Sequence, residues 1–547
     1  MKKYYEMNEK YKMYVKISIF LFGIFGTIIL YLLMNPPMIF LDSTVYIKLA
    51  ENIQEGRLHV YYRNGYMMSF PPFYSMLISL LEKITHNFEH AGAMISIIAG
   101  SLATIPAILL AKRFYGLGVA SLALVLFMFN LFYILYSSAI FTEALFTFLF
   151  LSAIYVIYLA LSKNSLLMWF SAGAIGGAAW LTRDVGIIIP AASIFWLTVC
   201  LLKKQYTVKK FVFFGAALII GLLITYLPIR SLTHLDKQNT PNLYPPLSVA
   251  RQLAIPDQRN AIQREIYRRE LTDDGKEYKH IAWLKTSLGL SDLITDWRWI
   301  LKRILINIIG IIKSTALIFF YIFFIFIIIG IFISKNRKNS ESEKFFLRPH
   351  QEYLFISSFV LLFASFYALA GGFSGPQDPE RYLVPIIPIL SMWCALGIIW
   401  TVKKISEMTV KKIETLTIAV LGSILLMINI MYIISICNWY FPFHNNIHFA
   451  ALAQLNIFKE RQSQNNLVIM SKSAFLPYYA DALQILTPYG EYGEIIKFAK
   501  SKKVDYFFLE NSLYAPQLEF LKNTKISTPE LKFILQIKQG NLYQLIY

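Results

Sequence analysis

ISIFLFGIFGTIILYLLM, residues 17–34, contains no charged side chain and is long enough for a helix to cross the hydrocarbon core of a bilayer. The chain becomes polar soon afterwards: LDSTVYIKLAENIQEG, residues 41–56, brings in an aspartate, Asp42, at its second position. An apolar span followed by a short two-sided helix predicts a chain that leaves the membrane here. We expect residues 35–90 to form a loop outside the bilayer.

Composition indicates a membrane protein over the whole chain. Of the 547 residues, 56% are hydrophobic and 16% are charged, more apolar side chains than a globular interior can bury. The net charge of +19 would suit a nucleic-acid-binding protein, but Lys and Arg lie mainly in short tracts between apolar segments, where they set orientation. The sequence therefore predicts a mainly α polytopic membrane protein and argues against nucleic acid as a partner.

The apolar segments predict about eleven transmembrane helices. They are residues 15–34, 91–111, 117–137, 142–161, 166–182, 184–202, 210–231, 312–334, 352–371, 382–401 and 414–437. Basic residues concentrate in alternate short loops, such as the tract that contains Lys203, Lys204, Lys209 and Lys210. The positive-inside rule then places these loops and the amino terminus in the cytoplasm, with the first span retained in the cell membrane.

The opposite, outer face collects the long loops. The loop at 35–90 contains two amphipathic stretches, residues 43–54 and 73–84, that we expect to lie along the membrane surface. The loop at 232–300 is polar and helix-prone. Loops of this length are uncommon unless they are functional or independently structured.

The carboxyl-terminal tail has the pattern of a small α/β domain. Its predicted elements are strands at 467–470 and 505–510, a helix at 493–501, and a hairpin of 531–537 with 542–547. We therefore divide the chain into a transmembrane domain at 1–437 and an extracytoplasmic domain at 438–547.

Several ionisable side chains lie where the chain meets the bilayer on the outer face. They are Asp42, Arg63, Glu143, Arg183 with Asp184, and the run Asp378, Glu380 and Arg381. An ionisable group at a membrane boundary is costly unless it is paired, so each is a candidate functional residue. Random placement would scatter such groups over both faces.

The two candidate acids also have structural interpretations. Asp42, or Ser43 and Thr44 beside it, is suited to cap the helix that follows. Glu143 opens a predicted span, where the helix dipole favours a carboxylate. The residues alone therefore leave capping and catalysis both open for Asp42.

The position of Arg183 has simple structural explanations, whereas that of Arg381 does not. Pairing with Asp184, or snorkelling to the interface, accounts for Arg183. Arg381 opens a span, where a cation opposes the helix dipole. We therefore expect an anionic group to compensate Arg381.

Five stretches together resemble a known family, the GT-C membrane glycosyltransferases. In chain order they are LDSTVYIKLAENIQEG (41–56), FPPFYSMLISLLEKI (70–84), FTEALFTFLFLSAIY (141–155), AIGGAAWLTRDVGIIIP (174–190) and PERYLVPIIPIL (379–390). Within that superfamily the chain is most similar to the dolichyl-phosphate-mannose protein mannosyltransferase and aminoarabinose transferase branch, glycosyltransferase families 39 and 83. The tail resembles the extracytoplasmic domain of many bacterial members.

The resemblance implies an enzyme, a hexosyl- or pentosyltransferase that uses a polyprenyl-phosphate sugar. The sugar would pass, by an inverting general-base mechanism, to an extracytoplasmic glycan, lipid or protein. The family's proposed base maps onto Asp42, its acid at the fourth span onto Glu143, and the arginine of its RYLVP stretch onto Arg381. Arg183 and Arg63 are further expected contacts of the donor phosphate.

Residues next to these candidates are expected to contact the substrate. Tyr46 lies one helical turn after Asp42, and Glu380 and Tyr382 flank Arg381. We assign these three residues to substrate binding.

The chain departs from the family pattern at two places. Many relatives have an Asp-Glu pair where this chain has Asp42-Ser43, so a second acid must come from elsewhere, such as Glu143. Aminoarabinose transferases have Lys-Pro-Pro where this chain reads Phe70-Pro71-Pro72, so a phosphate-binding lysine is absent at that position. This difference argues against aminoarabinose as the sugar.

We expect no metal ion and no cofactor. His444 and His448 stand one helical turn apart without an obvious acidic partner, and the three cysteines lack the short spacing of a zinc site. A divalent cation held by Asp42 and Glu143 is the alternative, because acids hold one in the related oligosaccharyltransferases. The branch resembled here does not generally require one.

Two other functional classes, a transporter and a scaffold, predict different sequence features. A transporter or flippase of lipid-linked sugars would also line a cavity with charges, but at mid-span depth and usually with an internal repeat. The sequence shows no repeat, and its charges gather on one side. A non-catalytic scaffold that only displays the tail domain would not explain why all five family-like motifs occur in the same chain and in the same order.

Overall fold

The computed structural model describes the greater part of the chain. The described residues are 41–56, 60–62, 66–68, 71–237, 297–336, 349–370, 379–408, 458, 467–472, 475–488, 490–510, 516–521, 526–537 and 540–547. The predicted spans at 15–34 and 414–437, Arg63, Asp378, both histidines and the domain boundary at 437 lie outside these residues. The described part consists of a bundle of apolar helices and a small sheet domain.

The two amphipathic helices of the first loop are confirmed. Helix α1 is Leu41–Gln54 and helix α2 is Phe73–Thr85. Tyr46, Ala50 and Asn52 of α1 are buried. Gly56 follows α1 with a positive φ of 77°, a conformation that glycine adopts without strain. Strands β1 (Val60–Tyr62) and β2 (Tyr66–Met68) pair antiparallel between the two helices.

The helices that follow build the bundle. They are α3 Phe88–Leu102, α4 Thr104–Tyr115, α5 Leu117–Met128, α6 Leu131–Ser138, α7 Glu143–Lys163, α8 Leu166–Thr182, α9 Ile188–Leu202, α10 Val208–Lys237, α11 Trp297–Ile318, α12 Ile322–Lys335, α13 Pro349–Ala370 and α14 Ile387–Met408. Among the described residues, six helices are long and apolar enough to cross a membrane, or up to eight spans if each of two bent pairs counts as one. Helix α8 is a shorter apolar helix at the predicted position 166–182.

Two predicted spans are bent rather than straight. The segment 117–137 breaks after Met128 with a bend of 59°, and the segment 312–334 breaks after Ile318 with a bend of 112°. Neither break contains Pro or Gly, so the apolar pattern gave no sign of it. Asn130 ties the two breaks together, because its amide donates to the carbonyl of Ile318 (3.0 Å) and its side-chain oxygen accepts from the backbone of Tyr133 (3.2 Å).

Small residues let several helices approach closely. A Cβ atom at Gly221 of α10 would overlap the carbonyl oxygen of Phe170 in α8, and one at Gly330 of α12 would overlap that of Trp393 in α14. Backbone contact of this kind is a common basis of helix association in membranes. Glycine therefore sets the spacing of both helix pairs.

The tail is a five-stranded sheet with strand order β4-β3-β5-β7-β6. Strand β3 is parallel to β4 and β5, and β7 is antiparallel to β5 and β6. The elements are β3 Val468–Ser471, α15 Phe475–Tyr479, β4 Leu483–Leu486, α16 Tyr492–Ser501, β5 Tyr506–Glu510, β6 Leu531–Ile537 and β7 Gly540–Leu545. The predicted strands, helix and hairpin are present, whereas β4 was not predicted.

The sheet domain contacts the end of the bundle where α1 lies. The short helix α15 touches α1, and its Phe475, Tyr478 and Tyr479 pack against the bundle core. The Tyr478 hydroxyl donates to Glu89 Oε1 at the start of α3, at 2.8 Å. The tail and the first loop therefore share one interface.

The close approach of α8 and α10 predicts the effect of a single methyl group. We expect Gly221→Ala to lower the stability by about 1–3 kcal/mol, because the added Cβ forces two backbones apart. Gly215→Ala on the same helix is the matched control, since no described atom lies within 4 Å of a Cβ there. Thermal unfolding of the two variants in one detergent measures the difference, and equal melting temperatures would contradict this account of the packing.

Candidate active site

Asp42 lies in the first turn of α1, and side-chain hydrogen bonds to neighbouring segments hold that helix in place. Ser43 Oγ donates to the carbonyl of Ile140 (2.9 Å), just before α7. Ser75 Oγ of α2 donates to the carbonyl of Tyr46 (2.9 Å), and Gln54 Nε2 donates to Glu82 Oε2 (2.6 Å). These bonds fix the Asp42 carboxylate beside the segment that leads into α7.

Glu143 is the first residue of α7, and its side chain is fully buried. Its Oε1 atom accepts from both Arg183 and Arg381, while the hydroxyl of Thr142 lies 3.4 Å from its Oε2 atom. A buried carboxylate needs such partners, because an unpaired charge away from water is very costly. Glu143 therefore joins the two arginines.

Arg183 lies between α8 and the 3₁₀ turn Asp184–Ile187, with an extended backbone. Its Nη1 atom reaches Glu143 and lies 3.3 Å from the hydroxyl of Thr142, so its ion pair is with Glu143 rather than with Asp184. Its guanidinium also lies 5.8 Å from the ring centre of Tyr382. Arg183 is thus held on two sides.

Arg381 lies on the 3₁₀ helix Pro379–Ile386, which precedes α14. Its Nε atom donates to Glu143, and its Nη1 atom donates to Asp42 Oδ2 at 2.7 Å. The face of its guanidinium covers the ring of Phe141 at 4.0 Å. The two carboxylates are the anionic partners that the position of Arg381 required.

The structure places the three predicted substrate contacts in different surroundings. Glu380 accepts from Ser314 Oγ of α11 at 3.1 Å, and the Tyr382 ring lies 5.2 Å from that of Tyr367. Tyr46 is buried, and its ring meets Tyr74 edge-on at 5.4 Å. Burial, with a smaller contribution from the charge of Asp42, raises the pKa of Tyr46 well above its ordinary value.

The structure also shows three site residues that the sequence interpretation did not assign. Phe141 and Thr142 precede Glu143 in the quoted stretch FTEALF, so their adjacency was the available signal. Ser314 lies in an apolar segment far from the other motifs, and only the fold brings it to Glu380.

Exposure rises in steps from Glu143 to Asp42. The Glu143 side chain is 0% exposed, Arg183 12%, Arg381 17% and Asp42 32%. Two guanidinium groups and two carboxylates carry formal charges that cancel. Asp42 is therefore the carboxylate that a solute can reach, and Arg381 is the cation beside it.

No group of three or more His, Cys, Asp or Glu side chains within the described ranges is arranged to hold a metal ion. Both candidate acids bond to guanidinium groups instead. Guanidinium groups suit oxyanions, including phosphate, because they present donors in a planar fork.

Part of the chain is similar to a known protein family. The family model for dolichyl-phosphate-mannose-protein mannosyltransferase matches residues 69–229, which include Glu143 and Arg183. No curated protein matches the chain in sequence.

Several solved structures share the fold at low sequence identity, including those of ArnT and AglB. ArnT from Cupriavidus metallidurans, bound to undecaprenyl phosphate, is 11% identical, with 96% of this chain and 97% of that one covered and a TM-score of 0.54. The oligosaccharyltransferase AglB from Archaeoglobus fulgidus, in complex with an inhibitory peptide and a dolichol-phosphate, is 13% identical, with 91% and 70% covered and a TM-score of 0.55.

The buried position of Glu143 predicts a large cost for removing its charge. We expect Glu143→Gln to lower the stability by about 3–5 kcal/mol, because two guanidinium groups lose their shared anion. Glu407→Gln is the control, since Glu407 pairs with Lys404 on an exposed helix face and its loss should leave the melting temperature unchanged. A Glu143 variant as stable as the Glu407 variant would contradict the assigned role.

Proposed function

We propose that this multi-pass membrane protein, which has the GT-C fold of membrane glycosyltransferases, transfers a sugar from a polyprenyl-phosphate donor to an extracytoplasmic acceptor. The observation that carries the proposal is the chain of ion pairs Asp42–Arg381–Glu143–Arg183. It offers a reachable carboxylate next to a guanidinium group at one end of an apolar bundle. The polyprenyl phosphates in the matched structures of ArnT and AglB support this class of donor.

Asp42 is the proposed general base. A hydroxyl acceptor is a weak nucleophile until its proton is removed in the transition state, and a carboxylate can accept that proton. Attack at the anomeric carbon from the face opposite the phosphate inverts its configuration. Asp42 is suited to this role because it is the more exposed of the two acids.

The arginines are the proposed donor-phosphate ligands. The leaving group is a phosphate, which needs charge stabilisation rather than a proton. Arg381 lies beside Asp42, and Glu143 holds Arg183 next to Arg381. We assign Glu143 to holding both guanidinium groups at the spacing that a phosphate requires.

We further propose that the site lies at the outer surface of the cell membrane. The amino terminus and the basic loops would face the cytoplasm, and the tail domain would cover the outer end of the bundle. The polyprenyl chain can then stay in the bilayer while its phosphate reaches Arg381. Glu380 and Tyr382 would contact the sugar or acceptor, whereas the burial of Tyr46 argues against the substrate contact that its position in the sequence predicted.

The proposed base predicts a specific loss of transfer. We expect Asp42→Asn to reduce sugar transfer about 10²–10⁴-fold, the usual contribution of a general base, while the variant remains folded. Glu51→Gln is the matched control, because Glu51 is a partly exposed carboxylate on the same helix that pairs with Lys48.

Mass spectrometry of envelope glycans and lipid-linked sugar pools measures the effect in cells that lack the gene and carry each variant. Full activity of the Asp42→Asn variant would contradict the assignment of Asp42 as the general base. Glycans that do not change when the gene is deleted would overturn the enzymatic function.

A further inference from the structure

We propose that the Asp42–Arg381 ion pair is a latch that the donor phosphate opens, so that donor binding frees the base. This inference rests on the proposed function and concerns the order of events at the same site. The relevant observation is that Arg381 donates to two carboxylates with two different nitrogen atoms, Nε to Glu143 and Nη1 to Asp42 Oδ2.

The two ion pairs of Arg381 differ in accessibility. The Glu143 side chain is 0% exposed and is shared with Arg183, so an anion from outside does not reach it. Asp42 is 32% exposed, and its described ion pair is with Arg381 alone. An arriving anion therefore competes with Asp42 and leaves the Glu143 bond in place.

Solvation favours an exchange of partners. The four side chains are neutral as a set, so an arriving phosphate leaves a negative charge uncompensated whether it adds or exchanges. Exchange places that charge on Asp42, the more exposed of the two carboxylates, where water stabilises it. If a phosphate oxygen takes the place of Asp42 Oδ2 at Nη1, the guanidinium keeps two anionic partners. Because the guanidinium nitrogens form one rigid plane, Nε stays on Glu143 while the Asp42 carboxylate moves away.

The exchange prepares Asp42 for catalysis. While Oδ2 accepts from Arg381, that oxygen is occupied by the guanidinium and is not presented to an acceptor hydroxyl. Once the phosphate has taken Nη1, the carboxylate is free to accept the proton of the acceptor hydroxyl. Donor binding thus makes Oδ2 available to the acceptor hydroxyl.

The reaction then resets the latch. The acceptor oxygen bonds to the anomeric carbon, the bond from that carbon to the phosphate oxygen breaks with its electron pair on the phosphate, and the proton passes to Asp42. Neutral Asp42 does not compete for Arg381 while the polyprenyl phosphate is bound. When Asp42 loses its proton to water, the ion pair re-forms and helps to displace the product.

The latch predicts that Asp42→Asn, which slows transfer, nevertheless tightens phosphate binding. We expect the purified, full-length Asp42→Asn variant in nanodiscs to bind undecaprenyl phosphate about tenfold more tightly than the wild type, because Arg381 no longer has a competing anion. Undecaprenol, which lacks the phosphate, is the matched ligand, and its affinity should be unchanged. Equal affinity of wild type and variant for undecaprenyl phosphate would overturn the latch.

A second comparison separates the latch from simple repulsion between Asp42 and the phosphate. In an Arg381→Gln background, Asp42→Asn should no longer tighten binding, whereas in an Arg183→Gln background the tenfold effect should persist. The same tightening in both backgrounds would indicate repulsion alone and overturn the latch. If the wild type binds undecaprenyl phosphate no better than undecaprenol, the proposed donor class itself is wrong.

Discussion

The site depends on one buried carboxylate, Glu143, that holds two guanidinium groups. Its side chain is completely enclosed, and a charge in that position persists only because Arg183 and Arg381 both bond to it. The arginines in turn come from segments 198 residues apart in the chain, so this carboxylate joins distant parts of the bundle. Asp42, the more exposed carboxylate, joins these three residues by accepting a hydrogen bond from Nη1 of Arg381.

The surrounding fold holds the two acids on regular helices, Asp42 on α1 and Glu143 on α7. Arg183 and Arg381 lie at or on short 3₁₀ segments, and the segment before α7 is fastened to α1 through Ser43 and Ile140. Elsewhere in the bundle, Asn130 connects two broken helices. The tail domain contacts the bundle through Tyr478 and Glu89.

Much of this organisation was predictable. Hydropathy located the apolar helices, the alternating patterns located most strands of the tail, and the motif likeness singled out Asp42, Glu143 and Arg381. The bends at 117–137 and 312–334 were not predictable, because the residues at the breaks are apolar or neutral and the apolar runs continue through them. Strand β4 is a four-residue edge strand next to a short helix, too brief to produce a clear alternation.

The sequence by itself determined that the chain is a helical membrane protein whose ionisable groups gather near one end. Composition and periodicity are sufficient for that, because lipid imposes length and polarity on each helix separately. Only the tertiary structure decided which groups pair. Asp184 is adjacent to Arg183 in the chain, yet Arg183 pairs with Glu143, because the partner of a charge is set by three-dimensional proximity and burial rather than by position along the chain.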